Sequence, residues 1–146
     1  MVRARRTFAL AIAVGSVAVA ASAGSAAASP AVAAPTCIGK SFSGTLGKNK
    51  AICNSGYKLT MQDNGDLVLR RSNGTACYAS GTRAPGDASA QYVKNLFGKP
   101  YIDINSTSQG RVGRILGAHT GAHFGTNASV NNKGEFWVGY KKVGWC

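Results

Sequence analysis

Gly65 and Gly134 lie 69 residues apart, and so do Cys77 and Cys146. A turn glycine and a cysteine repeating at one interval point to a stretch of chain used twice, and so to an internally repeated fold. Around Gly65 the chain reads YKLTMQDNGDLVLRR. A three-residue loop, Asp63-Asn64-Gly65 with glycine in the left-handed position, pairs Met61 with Leu67 and Leu59 with Leu69 on one face. Gln62 then stands opposite Asp66 and Thr60 opposite Val68 on the other face, with Arg70 beyond. A two-residue loop would set Met61 against Val68, Gln62 against Leu67 and Asp63 against Asp66, mixing the faces and opposing like charges. The three-residue loop is therefore expected.

The same construction recurs in ASVNNKGEFWVGYKKVGWC. A loop Asn132-Lys133-Gly134 pairs Val130 with Phe136 and Ala128 with Val138, leaving Asn131, Glu135 and Trp137 on the opposite face. A weaker third copy falls between them in YVKNLFGKPYIDI, where Gly98 lies 33 residues after Gly65 and 36 before Gly134. Pro100 sits there where a strand residue is expected. No long stretch has helical periodicity; short Val/Ile/Leu/Tyr runs alternate with Asn-Gly, Gly-Lys and Pro-Gly punctuation. This predicts an all-β fold.

The N-terminus reads as an export signal. Arg3, Arg5 and Arg6 precede an apolar run, Phe8 to Ala21, too short and too rich in small residues to anchor in a membrane. Cleavage is expected after Ala33, in preference to the small-x-small sites ending at Ala23 and Ala28. The Arg5-Arg6 pair reads best as an ordinary basic n-region, with twin-arginine export as the second choice. The expected product is secreted, a single domain of residues 34–146 with no transmembrane segment. It carries 14 basic and five acidic residues, a net charge of +9. All four cysteines lie in it, and an exported domain of this size is expected to form two disulfides. Three pairings are possible. The favoured one joins Cys53 to Cys77 around the first hairpin and Cys37 to Cys146 across the chain ends.

The segment YKLTMQDNGDLVLRRSNGTACYASGT resembles one subdomain of the bulb-type (monocot mannose-binding) lectins, whose repeat reads Q-x-D-x-N-x-V-x-Y with a W-A-S-N/G-T tail. The resemblance is close over residues 57–82, and spacing extends it to the rest of the domain. It implies a β-prism: three small antiparallel sheets in pseudo-threefold arrangement, with up to three shallow sugar sites and no cofactor. The carbohydrate-binding motif falls on Gln62, Asn64, Asp66, Val68 and Arg70. Gln62 and Val68 agree with the family. Its Asp and Asn are exchanged here as Asn64 and Asp66, which keeps one carboxylate and one amide. Arg70 replaces its Tyr, and a guanidinium fork suits carboxylate or phosphate better than a neutral hexose. The last copy offers a possible second site at Asn131, Glu135 and Trp137, without keeping the motif. Trp137 reads there either as an aromatic plate for a sugar or, slightly better, as a partly buried edge residue.

Other chemistries have weak support. Asp63, Asp66, Asp87, Asp103 and Glu135 are the only acidic residues, and no two stand out as the paired carboxylates of a glycosidase. His119 and His123 share a glycine-rich segment that reads as a loop, not as a helix face carrying metal ligands. No C-x-x-C pair starts a zinc site, and no nucleophile and base are spaced for catalysis. The basic residues are scattered, with no run of the kind found in nucleic-acid tails, so nucleic acid is not an expected partner. The sequence reading is a secreted, non-catalytic protein that binds a glycan or an anionic cell-wall polymer. Two alternatives are a cationic antimicrobial or toxin protein on a lectin-like scaffold, and a proteinase inhibitor using residues 83–91 as an exposed reactive loop.

Overall fold

A computed structural model describes residues 33–84 and 86–146. The export signal expected over residues 1–33 therefore lies outside them, apart from Ala33. Among the described residues all regular structure is β, and no helix is long and apolar enough to cross a membrane.

The chain enters through three short strands, β1 (Thr36–Cys37), β2 (Ser41–Phe42) and β3 (Thr45–Gly47). Each joins a different sheet. β1 lies parallel to β4 (Lys50–Asn54), at the edge of a sheet continued by β5 (Tyr57–Met61), β6 (Leu67–Arg70) and β7 (Ala76–Ala79). β3 closes a second sheet with β8 (Ala88–Val93), β9 (Tyr101–Ser106) and β10 (Gly110–Leu116). β2 closes a third with β11 (Ala128–Val130), β12 (Glu135–Val138) and β13 (Lys141–Trp145). All pairings except β1–β4 are antiparallel.

Alternation along the strands gives each sheet one apolar face, and the three faces meet in a single core. The first sheet contributes Ile52, Leu59, Met61, Leu67 and Leu69; the second Leu46, Ala90, Tyr92, Ile102 and Ile104; the third Phe42, Ala128, Val130, Phe136 and Val138. Separately, each sheet would leave such a face in water. Burying one side chain of this kind is worth about 1.5–3 kcal/mol, so the sheets stabilise one another chiefly through this shared interior.

The repeat holds in register. Thr60 faces Val68, Val93 faces Tyr101, and Ser129 faces Trp137, at offsets of 33 and 69 residues. In all three hairpins an N–H donates three residues back: Gly65 to Gln62, Gly98 to Asn95, Gly134 to Asn131. Gly65 and Gly134 carry φ of +82° and +74°, the left-handed value the three-residue loop requires. The middle hairpin is longer. Its left-handed residue is Asn95, at φ +46°, and Pro100 precedes β9 as a buried residue outside the ladder.

One sequence expectation is corrected here. The disulfides are Cys37–Cys53 and Cys77–Cys146, not Cys53–Cys77 and Cys37–Cys146. Parallel pairing of β1 with β4 brings Cys37 beside Cys53, and contact between β7 and β13 joins the two cysteines at equivalent positions of the first and last repeats. Of the segment 83–91, Arg83, Gly86 and Asp87 are exposed. Ala84 is buried and donates its N–H to Asn64, and from Ala88 the segment is β8, an interior strand.

Candidate functional site

The outward face of the first sheet carries a groove. On that face Ala51, Thr60, Val68 and Ala79 stand in register on four adjacent strands, and of these Thr60 lines the groove. The next row along contains Lys58 facing Arg70. Among the described residues the lining includes Lys40, Lys58, Thr60, Gln62, Asp63, Asn64, Arg70 and Arg71. Long polar side chains thus dominate the lining.

Of the five motif positions, the structure brings Gln62, Asn64 and Arg70 to this groove. Gln62 holds the turn with its backbone and lines the groove with its amide. The Oδ1 of Asn64 accepts from the Asp66 N–H, fixing the loop. Arg70 spends one N–H on the Gly74 carbonyl, 2.9 Å away, and the rest of its fork remains for a ligand. The other two positions are lost to the site. Val68 is buried. Asp66, only 5% exposed, accepts from the Ser80 hydroxyl at 2.8 Å and the Gly81 N–H at 3.0 Å. It ties the hairpin to the segment after β7, and so is a structural group where the sequence suggested a ligand contact.

Lys58 and Lys40 are groove residues that the motif did not identify. Lys58 was within reach, since extending the alternation two residues back from Thr60 puts it on the same face. Lys40 arrives only through the path of the entering chain. The lining thus holds four cations and one acid, and that acid, Asp63, lies 4.0 Å from Lys48.

The equivalent faces of the other two sheets are closed by their own side chains. In the third, Asn131, Glu135 and Trp137 do come together, but around one another. Glu135 accepts from the Asn131 amide at 2.7 Å, the Trp137 indole at 3.2 Å and the Lys142 ammonium at 3.1 Å. The Asn131 bond first, and then the Lys142 bond, hold the carboxyl of Glu135 below its usual range. Trp137 is half-buried, on an interior strand of its sheet instead of an edge. In the second sheet the Arg114 guanidinium lies 3.7 Å over the Tyr101 ring and grips Asp103 with two N–H groups, at 2.6 and 2.8 Å.

His119 and His123 lie in a loop, as their glycines suggest. The Nδ1 of His119 accepts from the Gly125 N–H, so its proton sits on Nε2 and is donated to the Asn95 carbonyl. The ring serves as a strut between two loops.

No family model and no curated protein matches this sequence. Solved structures do. The Polygonatum cyrtonema lectin, crystallised with monomannoside, superposes with a TM-score of 0.54 at 18% identity, over 73% of this chain and 94% of that one. The fold is a β-prism. The Remusatia vivipara lectin (24% identity, 68% and 83% of the two chains, TM-score 0.48) and the Colocasia esculenta agglutinin with mannose bound (23%, 70% and 80%, 0.46) are further matches. In this β-prism, then, one outer face is open and two are occupied from within.

Proposed function

We propose that this β-prism is a non-catalytic carbohydrate-binding protein of the extracellular space. Its ligand is an acidic glycan or anionic wall polymer, held in the first-sheet groove by Gln62, Arg70 and Lys58. The observation that carries this reading is the state of the carboxylates. All five are engaged: Asp63 and Asp87 by Lys48, Asp66 by Ser80 and Gly81, Asp103 by Arg114, and Glu135 by Lys142. None is left as a general acid or base, which argues against a glycosidase. In the groove the one acid, Asp63, lies 4.0 Å from Lys48. What remains there is rich in donors and positive, a surface matched to carboxylate or phosphate groups on a sugar chain. The fold it shares with the Polygonatum cyrtonema lectin supports the sugar-binding class.

The test is binding to an acidic polysaccharide and to mannan of similar size, at low and moderate salt. The double variant K58A/R70A should lose acidic-polymer binding by roughly tenfold or more, because two charge-assisted contacts go at once. A control, K133A/K141A, removes the same charge away from the groove and should lose far less. Equal losses would reduce the interaction to net charge and remove the groove from it. A single binding site per chain is expected, since the other two faces are filled.

A further inference from the structure

The three hairpin tips share one backbone hydrogen bond, although the left-handed residue of the middle one is Asn95 and not its glycine, and they do not share a chemistry. The equivalent tip residues are Asp63-Asn64 in the first copy, Asn132-Lys133 in the last, and Leu96-Phe97 in the middle. All three are held by the same N–H donated three residues back. Polar side chains therefore satisfy this turn, and nothing in its geometry calls for an apolar pair. Nor does packing. Phe97 is fully exposed, at 104% relative accessibility, and Leu96 is 51% exposed. Two adjacent apolar side chains at the apex of a loop are thus left in solvent, and they count as an interaction surface only together with further apolar groups.

A further exposed apolar side chain lies on a loop tied to this hairpin. Phe124, 52% exposed, lies on the 117–127 loop, which the His119–Asn95 hydrogen bond ties to the middle hairpin. The Phe124 ring meets the His119 ring edge-on at 5.0 Å, and the Lys94 ammonium lies 5.7 Å over its face. Lys94 and Lys99, both exposed, flank the Leu96-Phe97 tip. Residues 94–99 and 117–127 include no acidic side chain. An apolar apex with cations around its base, on a chain of net charge +12, complements a surface that is apolar inside and negative at its rim. A bilayer of anionic lipid has that structure: acyl chains accept the apolar apex while the head groups meet the lysines.

We propose that the middle hairpin tip, Leu96-Phe97, together with Phe124 on the adjoining loop, is a wedge that inserts into anionic lipid membranes. The inference is independent of the glycan groove, which lies on another sheet.

The experiment is flotation of the residue 34–146 domain, which contains the whole core and both disulfides, with vesicles of phosphatidylcholine alone or mixed with phosphatidylglycerol. The decisive variant is L96N/F97K, which gives the middle tip the residues of the last one and raises the net charge by one. The parent domain should float with the mixed vesicles and not with phosphatidylcholine. The variant should bind at least about tenfold less despite its extra charge, because the apolar contribution is gone. Unchanged melting of L96N/F97K shows that the fold is intact. F97W adds a reporter at the apex to Trp137 and Trp145, and its emission in excess of the parent's should shift to the blue and be quenched by brominated lipid. Four outcomes overturn the proposal: no flotation of the parent; flotation of the variant equal to or stronger than the parent's, which leaves charge alone; an unshifted F97W emission; or self-association of the parent that the variant loses without any vesicle binding, which would make the tip a contact between copies.

Discussion

The first and last hairpins begin from nearly the same plan and treat their acidic residue in opposite ways. Asp66 and Glu135 each stand four residues after an amide side chain, Gln62 or Asn131, and each follows a left-handed glycine. The shorter Asp66 is drawn under the segment after β7 and buried against Ser80 and Gly81. The longer Glu135 stays at the surface and gathers Asn131, Trp137 and Lys142 around itself. One consequence is an open groove in the first sheet, since Gln62 and Arg70 are not drawn into a network. The other is a closed face in the third. A repeated backbone thus fixes where side chains start, and the neighbouring segments decide whether they face a ligand or one another.

The two regions are also sewn together, and cutting that seam should have the largest effect. Replacing Cys77 and Cys146 by alanine releases a loop of 69 residues, which chain entropy prices at about 4 kcal/mol. Removing Cys37–Cys53, with a separation of 16, should cost about 3 kcal/mol on the same grounds. Urea denaturation of both double variants measures the difference, and peptide mapping of the unreduced protein checks the pairing itself.

Next comes the buried acid. D66A should cost about 2–3 kcal/mol, because Ser80 and the Gly81 N–H lose a charged acceptor where little water reaches. E135Q should shift the denaturation midpoint much less. If the two substitutions cost the same, the distinction between a structural and a surface carboxylate is wrong.

The turn glycines sharpen the comparison further. A Cβ at Gly65 would meet the Ala84 backbone nitrogen at 2.9 Å, whereas one at Gly134 would meet the Tyr57 ring, with its nearest atom at 2.5 Å. Backbone does not yield and a half-buried ring can rotate. G65A should therefore cost about 2 kcal/mol or more, with the left-handed strain included, and G134A should cost less. Thermal melts of the pair test the order.

The smallest effect expected is in pH dependence. Glu135 has its carboxyl held below the usual range by Asn131 and Lys142, so its contribution is present above the unfolded value, about 4.3, and disappears as pH falls through the folded value. Stability of the parent should decline below about pH 4 more steeply than that of E135Q. Parallel curves would mean that the Glu135 network adds nothing to folding.

The register of both outer hairpins was legible from sequence, because a period of two lets only one loop length separate apolar from polar side chains. Gln62 and Arg70 were legible as groove residues for the same reason. Asp66 was misread, since alternation reports the face on which a residue starts and not what folds over that face. The middle copy read weakly because Pro100 interrupts the pattern at the residue where β9 is about to begin.

Local chemistry thus determined this protein's strands, its turns and its repeat. These rest on interactions within a few residues, which a sequence displays directly. Only the tertiary structure decided the disulfide partners, the distribution of β1, β2 and β3 among three sheets, and the burial of Asp66. Each depends on which distant segments share a core, and apolar burial is non-directional: it rewards the meeting of any matched faces and does not name the partners in advance.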